Sequence, residues 1–237
     1  MQKRRRRRKR SSAVMTVAIF STIVLVCLSY YGILKKEIRM LPSKEPVKME
    51  TVSANGQPDE EKEKIEKPDW ITEDYVPINE YSRPGKKLEA VNAVVIHYTG
   101  NPGTTAAQNR NYYGELATTK EASVSSNFVV GIEGEVIQCV PSDEVAYASN
   151  DRNSDTLSIE VCHKDKSGKF TDASYESVIK LTAYLCEEFD LKEDQIIRHY
   201  DVTGKKCPLY YVEHEDKWKQ LKKDVMESME MDSWKQN

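Results

Sequence analysis

Two histidines and one cysteine pose the chemical question in this 237-residue chain. His97 lies near the end of the apolar, β-branched run VNAVVIHY. His199 lies near the end of DQIIRHY, and Cys207 follows eight positions later in RHYDVTGKKCP. Both runs have the length and composition of strands. Strand ends at one edge of a sheet converge in space, and the loops there carry sites. Two imidazoles and a thiolate make a three-ligand zinc set whose fourth position is left for water, as in catalytic rather than structural zinc sites. Spacing alone leaves a second reading open, in which both histidines are half-buried and Cys207 is a small core residue.

The elements that would position these groups follow in order. Thr105 and Gln108 have capping-box spacing, which predicts a helix starting there and running through Tyr112, Tyr113 and Leu116. NFVVGIEGEVIQCV reads as two strands about a turn at Glu133 and Gly134. Alternation in TLSIEVC puts Leu157, Ile159 and Val161 on one face and Ser158, Glu160 and Cys162 on the other. ASYESVIKLTAYLCEEF carries Tyr175, Val178, Ile179, Leu185, Cys186 and Phe189 on one helical stripe. DQIIRHY reads as a short strand ending at His199, and residues 213–234 as a helix with a polar end. His163, in the polar turn CHKDKSG, and His214, at the start of the last helix, are expected to face solvent. Strands and helices thus interleave from Trp70 onward. That predicts one α/β domain, residues 70–237, with a central mixed β-sheet flanked by helices.

The first seventy residues differ in kind. Residues 3–10, KRRRRRKR, carry eight positive charges, so the rest of the chain carries −11 within an overall −3. Residues 13–34 contain no charged side chain, and as a helix at ~1.5 Å per residue they would span roughly 33 Å, close to the hydrocarbon thickness of a bilayer. Tyr30 and Tyr31 stand where amphipathic rings favour the interface. Residues 1–12 then read as a basic cytoplasmic segment and 13–34 as a single-pass transmembrane anchor, with the remainder outside the cell membrane. A cleaved signal peptide is the rival reading; CLSYYG is a poor cleavage context for it. Residues 35–69 are charged, punctuated by proline and poor in large apolar groups, and read as a linker with a mean reach of roughly 30–35 Å. Cys27 falls in the apolar run. Cys139, Cys162, Cys186 and Cys207 could form two disulfides, but if Cys207 binds metal at least one of the other three is unpaired.

VVIHYTGNPG, NFVVGIEGEVIQ, LSIEVC and RHYDVTGKKCP occur in the order and spacing of zinc-dependent N-acetylmuramoyl-L-alanine amidases. The chain resembles that family, which includes phage lysozyme-type amidases and is akin to peptidoglycan recognition proteins, over roughly residues 81–221. The resemblance implies that His97, His199 and Cys207 hold Zn2+ and that Lys205, two positions before the cysteine, is the catalytic lysine. An ammonium there would stabilise the oxyanion formed when water attacks the lactyl amide. Family members take either a tyrosine or a glutamate as acid/base. Ser126 stands where the tyrosine would be, whereas Glu160 in LSIEVC matches the glutamate. Relatives often have His-Ala-Gly where Tyr147, Ala148 and Ser149 stand, in a segment that lines the substrate groove, so Tyr147 is a binding candidate. Asn101, just after the first ligand strand, is another.

Three functions follow as expectations. The first is a membrane-tethered, monomeric zinc hydrolase that cuts peptidoglycan between N-acetylmuramic acid and L-alanine. The alternative is a non-catalytic muropeptide receptor on the same fold, which Ser126 favours and the presence of Cys207, Lys205 and Glu160 opposes. Nucleic-acid binding through the arginine block is disfavoured, because the adjacent apolar run would hold those arginines at a membrane and the rest of the chain is acidic.

Overall fold

A computed structural model describes residues 65–235. The basic segment, the apolar run at 13–34 and the linker up to residue 64 lie outside the described residues, as do the last two. Among the described residues, no helix is long and apolar enough to cross a membrane.

The sheet is built around β2 (Ala93–Tyr98) and β5 (Thr156–Val161), two six-residue strands that run parallel, with His97 opposite Glu160. The short β6 (Ile196–Arg198) runs parallel on the other side of β2, Ile96 opposite Arg198. β3 (Phe128–Val130) extends the sheet from β5, again in parallel, and turns back antiparallel into β4 (Val136–Gln138). Gly134, at φ +88, makes that turn; a Cβ there would meet the Ala173 carbonyl at 3.0 Å. β1 (Ile71–Glu73) closes the far edge beside β4, giving the order β1-β4-β3-β5-β2-β6. One α/β domain with a mixed, helix-flanked sheet is therefore present. β1 went unread in the sequence, since of its three residues only Ile71 is buried.

Alternation along the strands sorts the side chains into two layers. Val94, Ile96, Phe128, Val130, Leu157, Ile159 and Val161 share one apolar cluster with α2 (Asp172–Glu188) and α5 (Glu215–Glu230). The opposite face carries Val129, Cys139 and Cys162 against Ala106 and Tyr113 of α1 (Ala106–Thr119). The predicted capping box is present: the Gln108 amide donates to Thr105 Oγ1, and the Thr105 amide to the Gln108 side chain. Helix α1 packs on β3 and β4. The faces of β5 and β2 that bear Glu160 and His97 instead border a cavity.

Several sequence expectations change. Helix α2 is buried over a wider arc than one stripe: Leu181, Thr182, Ala183 and Tyr184 are also interior, because α5 and the C-terminal turn pack beside it. The described end is not wholly polar, since Trp234 is buried against Tyr184 and its carbonyl accepts from Trp70 Nε1. His199 does not end a strand; it opens a short helix, α3 (His199–Thr203). His163 is buried, not solvated: its Nδ1 donates to the Asp165 carbonyl at 2.7 Å and its ring stacks on Tyr98. His214 is exposed, as expected, at the start of α5. Cys139, Cys162, Cys186 and Cys207 are buried free thiols, so no disulfide forms among them.

Arg198 fixes how β6 passes into α3. Its guanidinium donates to both carboxylate oxygens of Asp201, to Glu215 and to the carbonyl of Tyr211 in α4 (Leu209–Glu213), and lies 5.2 Å from the Trp218 ring centroid. Arg198→Met keeps the length of the stem and strands these acceptors. It is expected to lower unfolding free energy in urea by about 1.5–3 kcal/mol, the range for hydrogen bonds to charged groups. A midpoint unchanged from wild type would mean the ion pairs hold nothing.

Candidate metal centre and active site

Parallel register brings the site together. Glu160 on β5 and His97 on β2 sit opposite one another, on the same face of neighbouring strands. His199 follows Arg198, which is one step past the β2–β6 pair Val95–Ile197. Gly204, at φ +77, ends α3 by donating its amide to the Tyr200 carbonyl, and the chain then doubles back. The Tyr200 amide donates to the Cys207 carbonyl at 2.9 Å, which pins the cysteine against the helix that begins with His199.

One nitrogen from each of His97 and His199 and the sulfur of Cys207 all lie within 4.8 Å of one another. The sulfur is 3.8 Å from His97 Nδ1, and the two ring centroids are 4.7 Å apart. Glu160 Oε1 is 3.9 Å from the same Nδ1. All three candidate ligands are buried. They open onto a cavity of about 760 Å³ whose walls also include Thr99, Tyr147, Asn150, Glu160 and Lys205.

Burial and one cation set the electrostatics. Desolvation holds His97 well below the usual imidazole value, and the neighbouring His199 and Lys205 add to it. His199 is lowered by the same desolvation and by Lys205. Both rings are therefore neutral at pH 7, the state that can ligate a metal. Burial pushes the Cys207 thiol up to about 12, with Glu160 adding to it and the Tyr98 amide and Lys205 working against it. Burial likewise pushes Glu160 up to about 8, opposed by Lys205.

Among the described residues this is the His/Cys/carboxylate group with metal-ligand geometry. Tetrahedral zinc with two nitrogen ligands and one sulfur places donor atoms about 3.3–3.7 Å apart. The observed donor atoms, within 4.8 Å of one another, lie wider than that. Glu160 Oε2 and Thr99 Oγ1, both at the cavity, are buried without a hydrogen-bond partner among the described residues. Such orphaned groups fit a site built for a bound group or substrate. The donor set thus suits zinc.

The remaining sequence candidates separate clearly. Lys205 lines the cavity, whereas Lys206 turns away to pair with Glu213 at 2.9 Å. Tyr147 lines the cavity, its backbone tied to Ser125 in both directions. Asn101 is exposed in the turn after β2, where its carbonyl accepts from Thr104; the cavity wall reaches its neighbour Gly100. Ser126 is buried, donating to the Phe128 carbonyl, with the Tyr113 hydroxyl 3.4 Å from its oxygen. The sequence placed Ser149 only in the groove segment and did not single out Asn150, yet both touch the histidine rings. The polar run SNDRNSD after EVAYA, which reads as a loop, was the available signal.

A family description for N-acetylmuramoyl-L-alanine amidases, Amidase_2, matches residues 87–209, more than half of the chain and the whole site from His97 to Cys207. The chain belongs to the N-acetylmuramoyl-L-alanine amidase family. It is 32% identical over 169 residues to the amidase CwlL of Bacillus licheniformis, covering 65% of this chain and 46% of that one. To the amidase BlyA of Bacillus subtilis strain 168 it is 34% identical over 180 residues, covering 67% and 47%. The chain thus spans about half the length of the curated relatives it matches. The same fold occurs in a mutant endolysin from Bacillus subtilis (TM-score 0.56, 24% identity, covering 65% of this chain and 97% of that one). It occurs also in the catalytic domain of XlyA (TM-score 0.55, 22% identity, covering 65% and 98%).

In this amidase-family site, any metal uptake would be coupled to proton release. A thiolate would be the ligand, yet burial pushes the Cys207 thiol up to about 12. Glu160, pushed up to about 8, also holds its proton at pH 7, and a cation beside it would drive that proton off. Zinc uptake is expected to release about two protons at pH 7 and about one at pH 9, so affinity rises with pH. Titration calorimetry in buffers of different ionisation enthalpy measures this. Uptake without proton release would exclude the thiol as a ligand.

Proposed function

We propose that this protein hydrolyses the amide bond between N-acetylmuramic acid and L-alanine in peptidoglycan, with Zn2+ held by His97, His199 and Cys207. One observation carries the reading: two neutral imidazoles and a thiol converge beside a half-buried carboxylate and a lysine in one open cavity. When bound, zinc supplies Lewis acidity, making water acidic and polarising a carbonyl. Glu160 then receives the proton of the attacking water as the oxygen–carbon bond forms. As the carbon–nitrogen bond breaks, the Glu160 carboxyl returns that proton to the departing alanine nitrogen. A carboxyl pushed up to about 8 and pulled back by a cation is suited to both roles near neutrality. The Lys205 ammonium faces the same cavity and stabilises the oxyanion between the two steps. Tyr147 forms part of the wall against which the glycan-peptide lies.

The receptor alternative rests on Ser126, but that hydroxyl is committed to the Phe128 carbonyl while Glu160 stands free to move a proton. The sequence supports a setting as well. The basic residues 3–10 and the uncharged run 13–34 favour a single-pass anchor in the cell membrane, with the monomeric catalytic domain on the wall side. A linker of residues 35–69 with ~30 Å mean reach would let that domain sample nearby wall.

The full-length protein incubated with purified cell wall is expected to expose new alanine amino termini, and a chelator is expected to stop this. Wall binding without new amino termini would establish the receptor instead. Glu160→Gln is expected to retain stoichiometric zinc and lose about 10²–10⁴-fold in turnover. Lys205→Met is expected to lose about 10²-fold, mostly in kcat. Turnover unchanged in Glu160→Gln would assign proton transfer to another group.

A further inference from the structure

Each ligand histidine has a second ring nitrogen, and consecutive residues meet the two of them. His199 Nε2 is 2.8 Å from Asn150 Oδ1, and His97 Nε2 is 3.4 Å from Ser149 Oγ. His97 turns its other nitrogen, Nδ1, toward Cys207 and Glu160. We infer that the Ser149–Asn150 turn is the positioning device of the metal site: it takes the Nε2 hydrogens of both imidazoles and leaves their Nδ1 lone pairs for the ion. This inference rests on the metal reading above and extends it to residues that do not themselves bind metal.

A positioning device must be rigid, and this turn is braced. Asn153 Oδ1 accepts the amides of Ala148 and Ser149 at 3.1 and 2.6 Å. The amides of Arg152 and Asn153 return to the carbonyls of Ser149 and Asn150. Arg152 forks onto both carboxylate oxygens of Asp155, and Thr156 at the start of β5 donates to the Arg152 carbonyl. The turn is thereby fastened to the strand that carries Glu160. Asn150 sits at φ +53, a conformation that asparagine and glycine tolerate and most residues do not. Asparagine alone of the two also supplies a carbonyl oxygen. An acceptor on the outer nitrogen fixes the tautomer and ring angle of a metal-bound histidine and raises its basicity, and losing such partners typically weakens metal binding 10–100-fold.

Two variants separate the backbone from the acceptor. Asn150→Gly keeps the left-handed turn and removes the oxygen; Asn150→Asp keeps an acceptor. Asn150 is exposed, so neither change opens a hole in the core. Zinc affinity of the full-length protein is measured by competition with a chromophoric chelator, and the histidine ring protons of the metal-free protein by nitrogen-correlated NMR in water. The wild type is expected to show a slowly exchanging His199 Nε2 proton. Asn150→Gly should lose that signal and weaken zinc about 10–100-fold, while Asn150→Asp should retain both. Wild-type zinc affinity in Asn150→Gly, or a His199 ring protonated on Nδ1 in the metal-free wild type, would overturn the inference. A wild type that takes no zinc at all would overturn the metal reading itself, and this inference with it.

Discussion

Parallel pairing of β5, β2 and β6 is the constraint on which this molecule depends. Adjacent strands lie about 4.8 Å apart, so residues in register on one face are held at contact distance by backbone hydrogen bonds alone. His97 and Glu160 are such a pair, and His199 emerges one residue beyond the last registered pair of the next strand. A slip of one residue in any of these strands would turn its polar group into the apolar layer under α2 and α5. The row Val94, Ile96, Leu157, Ile159 and Val161 on the opposite face prevents that slip, because each of these side chains is fully buried. Hydrophobic burial on one side of the sheet thus sets the chemical geometry on the other.

The same burial creates the electrostatic tension of the site. Neutral imidazoles, a protonated thiol and a protonated carboxyl are the states that burial favours. Lys205 offsets this from the cavity wall without entering the core, and its exposed stem leaves the charge in contact with solvent. A divalent ion would move the thiol and the carboxyl in the direction that catalysis requires. The protein alone holds the donors in register but leaves their protons in place.

Much of this was legible in the residues. The capping box at Thr105, the β3–β4 turn at Gly134 and the alternation in TLSIEVC are local signals with local causes, and each appears as read. The candidate metal set emerged because histidines are few, His97 lies near the end of β2 and His199 directly follows β6. What escaped depended on long-range packing. β1 exists because β4 offers it an edge, Trp234 is buried because α2 and Trp70 receive it, and His163 is interior because Tyr98 stacks on it. The contacts of Ser149 and Asn150 with the histidines span about fifty residues of chain and leave no trace in periodicity.

Whether one ion joins His97, His199 and Cys207 is the claim that matters most. Zinc-edge X-ray absorption on the purified protein reads the ligand shell directly. Two imidazole nitrogens at about 2.0–2.1 Å, one sulfur at about 2.3 Å and one further light atom are the expected shell. A shell without sulfur, or with oxygen and nitrogen ligands only, would contradict the account.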